Sequence, residues 1–172
     1  SAHIVLLPII RKEKDRSTVM EYTETLAKEL RSQSYGNRSI DVEIDTRDIG
    51  GARGWEWIKK GIPLRVEIGP RDIANDSVFL ARRDKSPKEK MSMKRNEFVA
   101  QVQAVLDEIQ QNLFDRALEF QRRHTVEINA KDDFIKFYTP ENVEKPEIHG
   151  GFARAHWCGD EACEANIKDD LK

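Results

Sequence analysis

Apolar residues at the start of the chain change from a continuous run to helical spacing. Residues 3–10 are almost entirely apolar, which is typical of a strand buried on both faces of an α/β sheet. Thr18 and Glu21 have the spacing of a capping box, which predicts the start of a helix. The apolar positions that follow recur every three or four residues: Val19, Tyr22, Leu26 and Leu30. The pattern therefore predicts a strand followed by an amphipathic helix.

Short β-rich runs occupy the middle of the chain. We predict strands over residues 41–45, 64–69 and 77–82, with a further short strand at 90–93. The second and third of these runs are joined by the turn-prone segment GPRDIAND, and they are expected to pair or to lie near one another. Residues 47–63 are rich in glycine and aromatic side chains, which favours a loop or a short helix.

A long amphipathic helix is predicted in the second half of the chain, where it should cover the sheet. Its apolar positions keep a spacing of three and four: Phe98, Val102, Val105, Ile109, Leu113, Ala117 and Phe120. Residues 131–138 predict a further helix and residues 151–158 a strand. We therefore expect an α/β domain with a mixed sheet of about five strands over residues 1–127. Residues 128–172 are expected to form part of a small α+β domain.

Composition is typical of a globular protein. Of the 172 residues, 38% are hydrophobic and 35% are charged, and no stretch approaches the roughly 20 apolar residues of a membrane helix. The opening segment lacks a preceding basic region and a small-residue cleavage site, so we predict a strand rather than a signal peptide. A net charge of −2 argues against indiscriminate binding to nucleic acid, although residues 82–95 hold seven basic and only two acidic side chains. We expect a cytoplasmic location and neither a membrane nor a DNA partner.

Motifs for catalysis are absent from the sequence. It contains no nucleophile elbow, no P-loop, no dinucleotide fingerprint and no HExxH. The histidines are scattered along the chain: His3, His124, His149 and His156. We therefore predict no catalytic residues. An α/β enzyme with an unrecognised site stays open as an alternative, with Asp72, Glu67 and His156 as its acid and base candidates.

Basic residues, carboxylates and tight turns are concentrated in KKGIPLRVEIGPRDIANDSVFLARRDKSPKEK, residues 59–90. This segment resembles the anticodon-binding domain of class II aminoacyl-tRNA synthetases, and specifically of prolyl-tRNA synthetases of the archaeal/eukaryotic-like type. The resemblance rests on KGIPLRVEIGPRD followed by ARRD. It extends to HIVLLPI, RALEFQRRHT and GFARAHWCGDEACE, and so covers nearly the whole chain.

The resemblance implies a fold, a partner and a parent enzyme. The fold would be that of the class II synthetase anticodon-binding domain, and the partner would be proline tRNA. The parent, a homodimer, would use ATP and Mg²⁺ to attach proline to this tRNA through a separate catalytic domain, while the present chain would need no cofactor. The alternative is a stand-alone synthetase-like accessory or interaction protein without tRNA-charging activity.

Arg65 and Asp72 stand where the family places the arginine and aspartate that recognise guanine. Proline anticodons carry guanine at the middle and last positions. Guanine offers acceptors at O6 and N7, which suit an arginine fork, and N1–H and N2–H donors, which suit a carboxylate. The alternative from the residues alone is an ordinary ion pair at a strand end.

Other RNA contacts are implied less directly. Lys88 matches, after a one-residue insertion, the lysine that the family uses beside the middle guanine. The family also has a glutamate directly after a tryptophan, whereas Ile58 follows Trp57 here. Either Glu56 takes over that role, which we favour, or the base is recognised differently. Trp55 and Trp57 could stack on a base or anchor their segment to the core.

The neighbouring arginines suit the RNA backbone. Arg71, Arg82 and Arg83 are expected to meet phosphates or solvent rather than bases, since phosphate contacts are the commoner use of basic side chains.

Cys158 and Cys163 resemble the first half of the four-cysteine zinc site in the C-terminal domain of this synthetase group. Structural zinc takes four ligands, and no second cysteine pair follows within the chain. We therefore expect no metal on this chain and leave zinc in a longer parent protein open.

Overall fold

The computed structural model describes residues 2–142, 144–147 and 149–171, and it divides into two compact units, residues 1–113 and residues 114–172. The strands of the first unit are β1 (Ile4–Pro8), β2 (Ser34–Tyr35), β3 (Arg38–Ser39), β4 (Val42–Ile44), β5 (Leu64–Ile68), β6 (Ser77–Arg82) and β7 (Lys90–Lys94). Its helices are a 3-10 turn (Glu13–Asp15), α1 (Arg16–Arg31), α2 (Ala52–Lys59), α3 (Pro70–Ala74) and α4 (Arg95–His124). The unit boundary falls within α4, between Leu113 and Phe114.

Five strands of the first unit form one mixed sheet in the order β4-β1-β5-β6-β7. Strands β4, β1 and β5 are parallel, whereas β6 runs antiparallel to both β5 and β7. The prediction of a mixed five-stranded α/β sheet is therefore confirmed, and so is the pairing of the runs at 64–69 and 77–82. In the order β4-β1-β5, strand β1 lies between β4 and β5, which come later in the chain. Doubly wound α/β folds share this arrangement.

The main hydrophobic core lies on one face of the sheet. It joins β1, β4, β5 and β6 to α1 and α4 through residues such as Leu6, Leu26, Val66 and Phe98. The long helix thus covers the sheet as its spacing predicts. Its apolar stripe continues beyond the core, however, and Phe120 is 45% exposed. A 30-residue helix is longer than the sheet beneath it, since each residue advances it by about 1.5 Å.

Two local predictions in the first unit need correction. Helix α1 begins at Arg16 because the 3-10 turn leads directly into it, so Thr18 lies inside the helix and no side chain caps its N-terminus. The segment GPRDIAND is more than a turn, because Pro70 begins the short helix α3. Proline is favoured at a first helical position since its backbone nitrogen has no hydrogen to donate.

The second unit contains the end of α4, two short strands and two helices. These are β8 (Thr125–Glu127), α5 (Lys131–Tyr138), β9 (Phe152–Arg154) and α6 (Glu161–Asp170). β8 and β9 pair in parallel, and the Tyr138 hydroxyl accepts a hydrogen bond from the Ala153 amide at 2.9 Å. The predicted helix at 131–138 and a strand within 151–158 are present. A domain boundary at residue 127 stays a prediction.

No helix within the described ranges combines the length and the apolar character needed to cross a membrane.

Candidate nucleic-acid interface

The second face of the sheet is only partly covered by a helix. Trp57 of α2 and Ile62 pack there against Ala2, Val5 and Leu7 in a small apolar cluster. Because side chains alternate along a strand, the residues of β5 that point away from the main core lie on this same face. The polar residues among them line two clefts next to the cluster.

Helix α2 is attached to the carboxyl ends of β1 and β4 by polar contacts. The indole Nε1 of Trp57 donates to Asp45 Oδ2 at 2.7 Å, and Arg47 donates to both oxygens of the same carboxylate. Arg53 donates to the carbonyl oxygens of Pro8 at 2.9 Å and of Asp45 at 3.0 Å. Hydrogen bonds from Arg47 outweigh the effect of burial and, with that from Trp57, hold the pKa of Asp45 well below its ordinary value. These bonds fix α2 as one wall of the first cleft.

The first cleft has a volume of about 340 Å³, within the usual range of ligand sites. It is lined by Leu7, Ile9, Gly50, Gly51, Arg53, Gly54, Trp55, Ile58, Arg65, Glu67, Pro87, Lys88 and Lys90. Apolar and aromatic side chains from α2 therefore face basic side chains from β5, β7 and the segment between β6 and β7.

Arg65 is the most unusual residue of the first cleft. Only 6% of its surface is exposed, and its side chain makes no hydrogen bond or ion pair with any other described residue. Among the described residues Arg95 Nε is the one fully buried side-chain nitrogen or oxygen without a partner, so the unpaired nitrogens of Arg65 still reach the surface of the cleft. Burial lowers the pKa of Arg65, and the negative charge of Glu67 opposes that shift. A guanidinium has five donors, and those of Arg65 open onto the cleft without a protein partner, so this position is suited to a ligand that accepts hydrogen bonds.

The second cleft has a volume of about 700 Å³ and lies at the carboxyl ends of β1 and β5. It is lined by Ile9, Arg11, Lys12, Lys14, Asp15, Glu67, Gly69, Pro70, Arg71, Asp72 and Phe79. Asp72 is the third residue of α3, and its Oδ2 accepts a hydrogen bond from the Gly69 amide at 2.8 Å. Carboxyl ends of parallel strands are a common place for ligand sites in open α/β sheets.

The predicted site residues are distributed over both clefts. Arg65 and Lys88 line the first, Arg71 and Asp72 line the second, and Glu67 belongs to both. Arg65 and Asp72 form no ion pair with each other among the described residues. The alternative of a strand-end ion pair between them is therefore wrong.

The two tryptophans of helix α2 lie in different environments. Trp57 is buried and anchors the helix, whereas Trp55 is 58% exposed at the first cleft. Ile58 also lines that cleft. Glu56 lines neither described cleft and forms an ion pair of 2.8 Å with Arg47. The structure thus does not bring Glu56 into contact with Arg65.

Arg82 lies on the opposite face of the sheet from Arg65. Its register partner in β5 is Leu64, which belongs to the main core. The guanidinium pairs with Asp84 at 2.7 Å and with Glu108 of α4 at 2.9 Å, and Asn112 donates to the same Asp84 carboxylate. Arg82 is therefore separated from both clefts and linked to α4.

Glu67, Lys90 and Phe79 were not predicted as RNA-site residues. The alternation of β5 could have placed Glu67 beside Arg65, two residues away on one face. Lys90 of β7 contacts Glu67 of β5 across the intervening strand β6. The contact depends on this strand order, which the sequence does not reveal. Phe79 sits opposite Glu67 in the β5-β6 register.

In the second unit, Cys158 and Cys163 are exposed free thiols. A hydrogen bond from the Asp160 backbone, followed by one from Cys163, lowers the pKa of Cys158, and donation to Cys158 raises the pKa of Cys163. Within the described ranges no three His, Cys, Asp or Glu side chains form a group that could hold a metal. The residues present therefore do not fit a structural zinc ion, which takes four ligands.

Comparison with known proteins defines the class to which this fold and these clefts belong. The sequence model of one family, described as the anticodon binding domain, matches residues 3–105. The chain belongs to this anticodon-binding-domain family.

Particular relatives narrow the comparison to proline–tRNA ligases. The chain is 46% identical over 98% of its length to proline–tRNA ligase 2 of Anaeromyxobacter dehalogenans and 45% identical over 96% to the proline–tRNA ligase of Protochlamydia amoebophila. It covers 34% and 33% of those proteins, about a third of their length. It also resembles a crystal structure of prolyl-tRNA synthetase from Cryptosporidium parvum complexed with L-proline and AMP. That similarity has a TM-score of 0.69 and 26% identity, and it covers 98% of this chain and 33% of the other.

Proposed function

We propose that this chain is the part of a proline–tRNA ligase that recognises the anticodon of proline tRNA. The observation that supports this most directly is the buried Arg65 guanidinium, which faces a cleft and lacks a partner among the described residues. Such a group gains free energy when O6 and N7 of a guanine take up its donors. Membership of the anticodon-binding-domain family and similarity to proline–tRNA ligases supply the context.

We assign the two clefts to different parts of the anticodon loop. Arg65 and Lys88 would contact one guanine in the first cleft. Asp72 would contact a second guanine through Oδ1, because its Oδ2 is engaged by the Gly69 amide. Arg71 at the second cleft is suited to phosphate, since such contacts position RNA without specifying sequence.

Two predicted RNA residues receive indirect roles in this proposal. Glu56 acts through Arg47, which holds the Asp45 carboxylate beneath α2. Arg82 supports the packing of β6 against α4 through Asp84 and Glu108. Neither contacts the base in the arrangement that we propose.

The parent protein is proposed to attach proline to its tRNA in the cytoplasm, using ATP and Mg²⁺ held by a catalytic domain outside this chain, and to act as a homodimer. The domain of this chain that contacts RNA is proposed to span residues 1–127, with residues 128–172 as the start of a further domain. Similarity to proline–tRNA ligases over nearly the whole chain supports the first statement.

Binding of the chain to proline tRNA transcripts tests the proposed function. In filter binding at physiological salt, changing either anticodon guanine to adenine should weaken binding by roughly tenfold, because each good bidentate contact contributes about 1–3 kcal/mol. Asp72→Asn should lose discrimination at one guanine without unfolding, because an asparagine oxygen can still accept from the Gly69 amide while its amide group faces the base. Equal binding of all transcripts would refute the proposal.

A further inference from the structure

Glu67 is a carboxylate in the first cleft for which the proposed function has no role. It lies on the same face of β5 as Arg65, two residues further along the strand. It is also the one acidic residue among those that line this cleft, where Ile58 and Trp55 form the opposite, apolar and aromatic wall. A ligand that donates hydrogen bonds inside the cleft therefore has Glu67 as its carboxylate partner.

The Glu67 side chain is held in place but is not saturated with hydrogen bonds. Lys90 Nζ lies 2.6 Å from its Oε1, and the side chain is 30% exposed. Its Oε2 makes no hydrogen bond within the described part of the chain. The same ammonium lies 5.7 Å from the ring centroid of Phe79, which sits opposite Glu67 in the sheet. Lys90 thus fixes the carboxylate while leaving it free to accept from a ligand.

Arg65 and Glu67 together present both kinds of hydrogen-bonding group to one ligand. The arginine offers only donors and the ionised glutamate offers only acceptors. A guanine has acceptors at O6 and N7 and neighbouring donors at N1–H and N2–H. Adenine keeps the N7 acceptor but reverses the pattern at the other positions, because its N6 amino group donates towards Arg65 and its N1 accepts towards Glu67.

We propose that Glu67 accepts hydrogen bonds from N1–H and N2–H of the guanine whose O6 and N7 are bound by Arg65. This inference rests on the proposed function and deepens it, since Glu67 becomes the residue that excludes other bases from the first cleft. Neither the Glu56 carboxylate nor a rearranged α2 is then needed to supply an acceptor there. Lys90 is a positioning residue that orients Glu67.

Inosine provides a direct probe because it keeps O6, N7 and N1–H but lacks the 2-amino group. Binding of the 172-residue chain is measured to anticodon stem-loop RNAs of proline tRNA in which inosine replaces each guanine in turn. At one of the two positions, wild-type protein should lose roughly tenfold in affinity, the size expected for a lost base contact. Glu67→Gln should bind the guanosine RNA about as weakly as wild type binds the inosine RNA, with little further loss for inosine.

Controls separate base recognition from general effects of charge or folding. Glu29→Gln removes another ion-paired carboxylate, which lies 2.9 Å from Arg95 and lines neither cleft. This variant should leave the inosine penalty unchanged. Thermal unfolding checks each variant. If Glu67→Gln fails to fold, Glu67→Asp serves instead, since it keeps the charge and shortens the reach by one methylene.

The two proposals fail in different ways. If Glu67→Gln keeps the full guanosine-over-inosine preference of wild type at both positions, the role of Glu67 is wrong while the proposed function stands. If Glu29→Gln loses the preference to the same extent, the effect is general and the role of Glu67 is likewise overturned. If wild-type protein does not distinguish guanosine from adenosine at either position, the proposed function itself fails.

Discussion

Charged side chains in this protein fall into two groups at the residue scale, those paired within the fold and those left for a ligand. Arg82 and Asp84 are largely buried and paired with each other, and Arg82 also meets Glu108. Burial alone would raise the pKa of Asp84, but hydrogen bonds from Arg82 and Asn112 outweigh it and the pKa lies below its ordinary value. Arg65 is as buried as these residues but makes no hydrogen bond or ion pair with another described residue, and only the nearby charge of Glu67 offsets its burial. Its donors therefore remain available to a ligand in the cleft.

Replacing Arg65 with methionine should separate stability from binding. The unpaired charge disappears while the aliphatic volume is largely kept, so we expect the free energy of unfolding to stay within about 0.5 kcal/mol of wild type or to rise by about 1 kcal/mol. Guanine discrimination should be lost because methionine has no donors. Urea unfolding and filter binding measure the two effects. A large loss of stability would show instead that Arg65 supports the fold.

At the scale of elements, a buried carboxylate contributes to the attachment of helix α2. Asp45 follows β4 directly, is only 6% exposed, and joins Trp57 of the helix to Arg47. Since Trp57 also belongs to the apolar cluster beneath the helix, it contributes to both the hydrophobic and the polar attachment of α2, and Arg53 adds hydrogen bonds to Pro8 and Asp45. The wall of the first cleft therefore depends on the charge state of Asp45.

Asp45→Asn should destabilise the first unit in a pH-dependent manner. We expect a loss of about 1–3 kcal/mol at pH 7, the size of a charge-assisted hydrogen bond. The pKa of Asp45 is lower when folded than its unfolded value of about 3.9, so the stabilisation is fully present above that value and is lost as the pH falls below it. Urea unfolding from pH 7 to pH 3 should show the difference between variant and wild type constant near neutrality and smaller in acid. Glu43→Gln, at an exposed position of β4, serves as the control and should show little difference at any pH.

The elements differ in how far the sequence predicts them. Helix α4 is predictable because its core-facing residues repeat at helical spacing, and β5 because VEI and its neighbours are β-rich and close to turn signals. Helix α3 is not, since five residues carry too little periodicity. The candidate site is predictable in part, because Arg65 and Asp72, which line its two clefts, follow from the family resemblance. The contact between Glu67 and Lys90 depends on the strand order β5-β6-β7 and on nothing local.

At the scale of the whole molecule, a chain with a net charge of −2 carries local concentrations of basic residues. Arg11, Lys12, Lys14 and Arg71 line the second cleft, and Lys88 and Lys90 line the first. Phosphates that approach these clefts would meet positive charge although the chain as a whole is slightly acidic. Binding should therefore depend on salt through a limited number of contacts.

Removing Lys12 and Lys14 together should reduce that salt dependence. For single-stranded RNA each phosphate contact contributes about 0.7 to the slope of log K against log salt, so the double substitution to glutamine should lower its magnitude by up to about 1.4. The preference for guanine should be unchanged, since phosphate contacts position RNA without specifying its sequence. Titrations from 50 to 300 mM salt measure the slope, with exposed Lys28→Gln of α1 as the control. An unchanged slope would show that the RNA does not pass this cleft.

Glu67 borders both clefts, and this shared wall would couple the two proposed base sites thermodynamically. A base that engages the Glu67 carboxylate in the first cleft changes the electrostatic field felt by a base beside Asp72 in the second. At independent sites, the losses of affinity caused by two base changes multiply. At coupled sites they would not. For a tRNA with both guanines replaced, the loss of affinity would differ from the product of the two single losses. The protein would then recognise the two nucleotides jointly, as a dinucleotide.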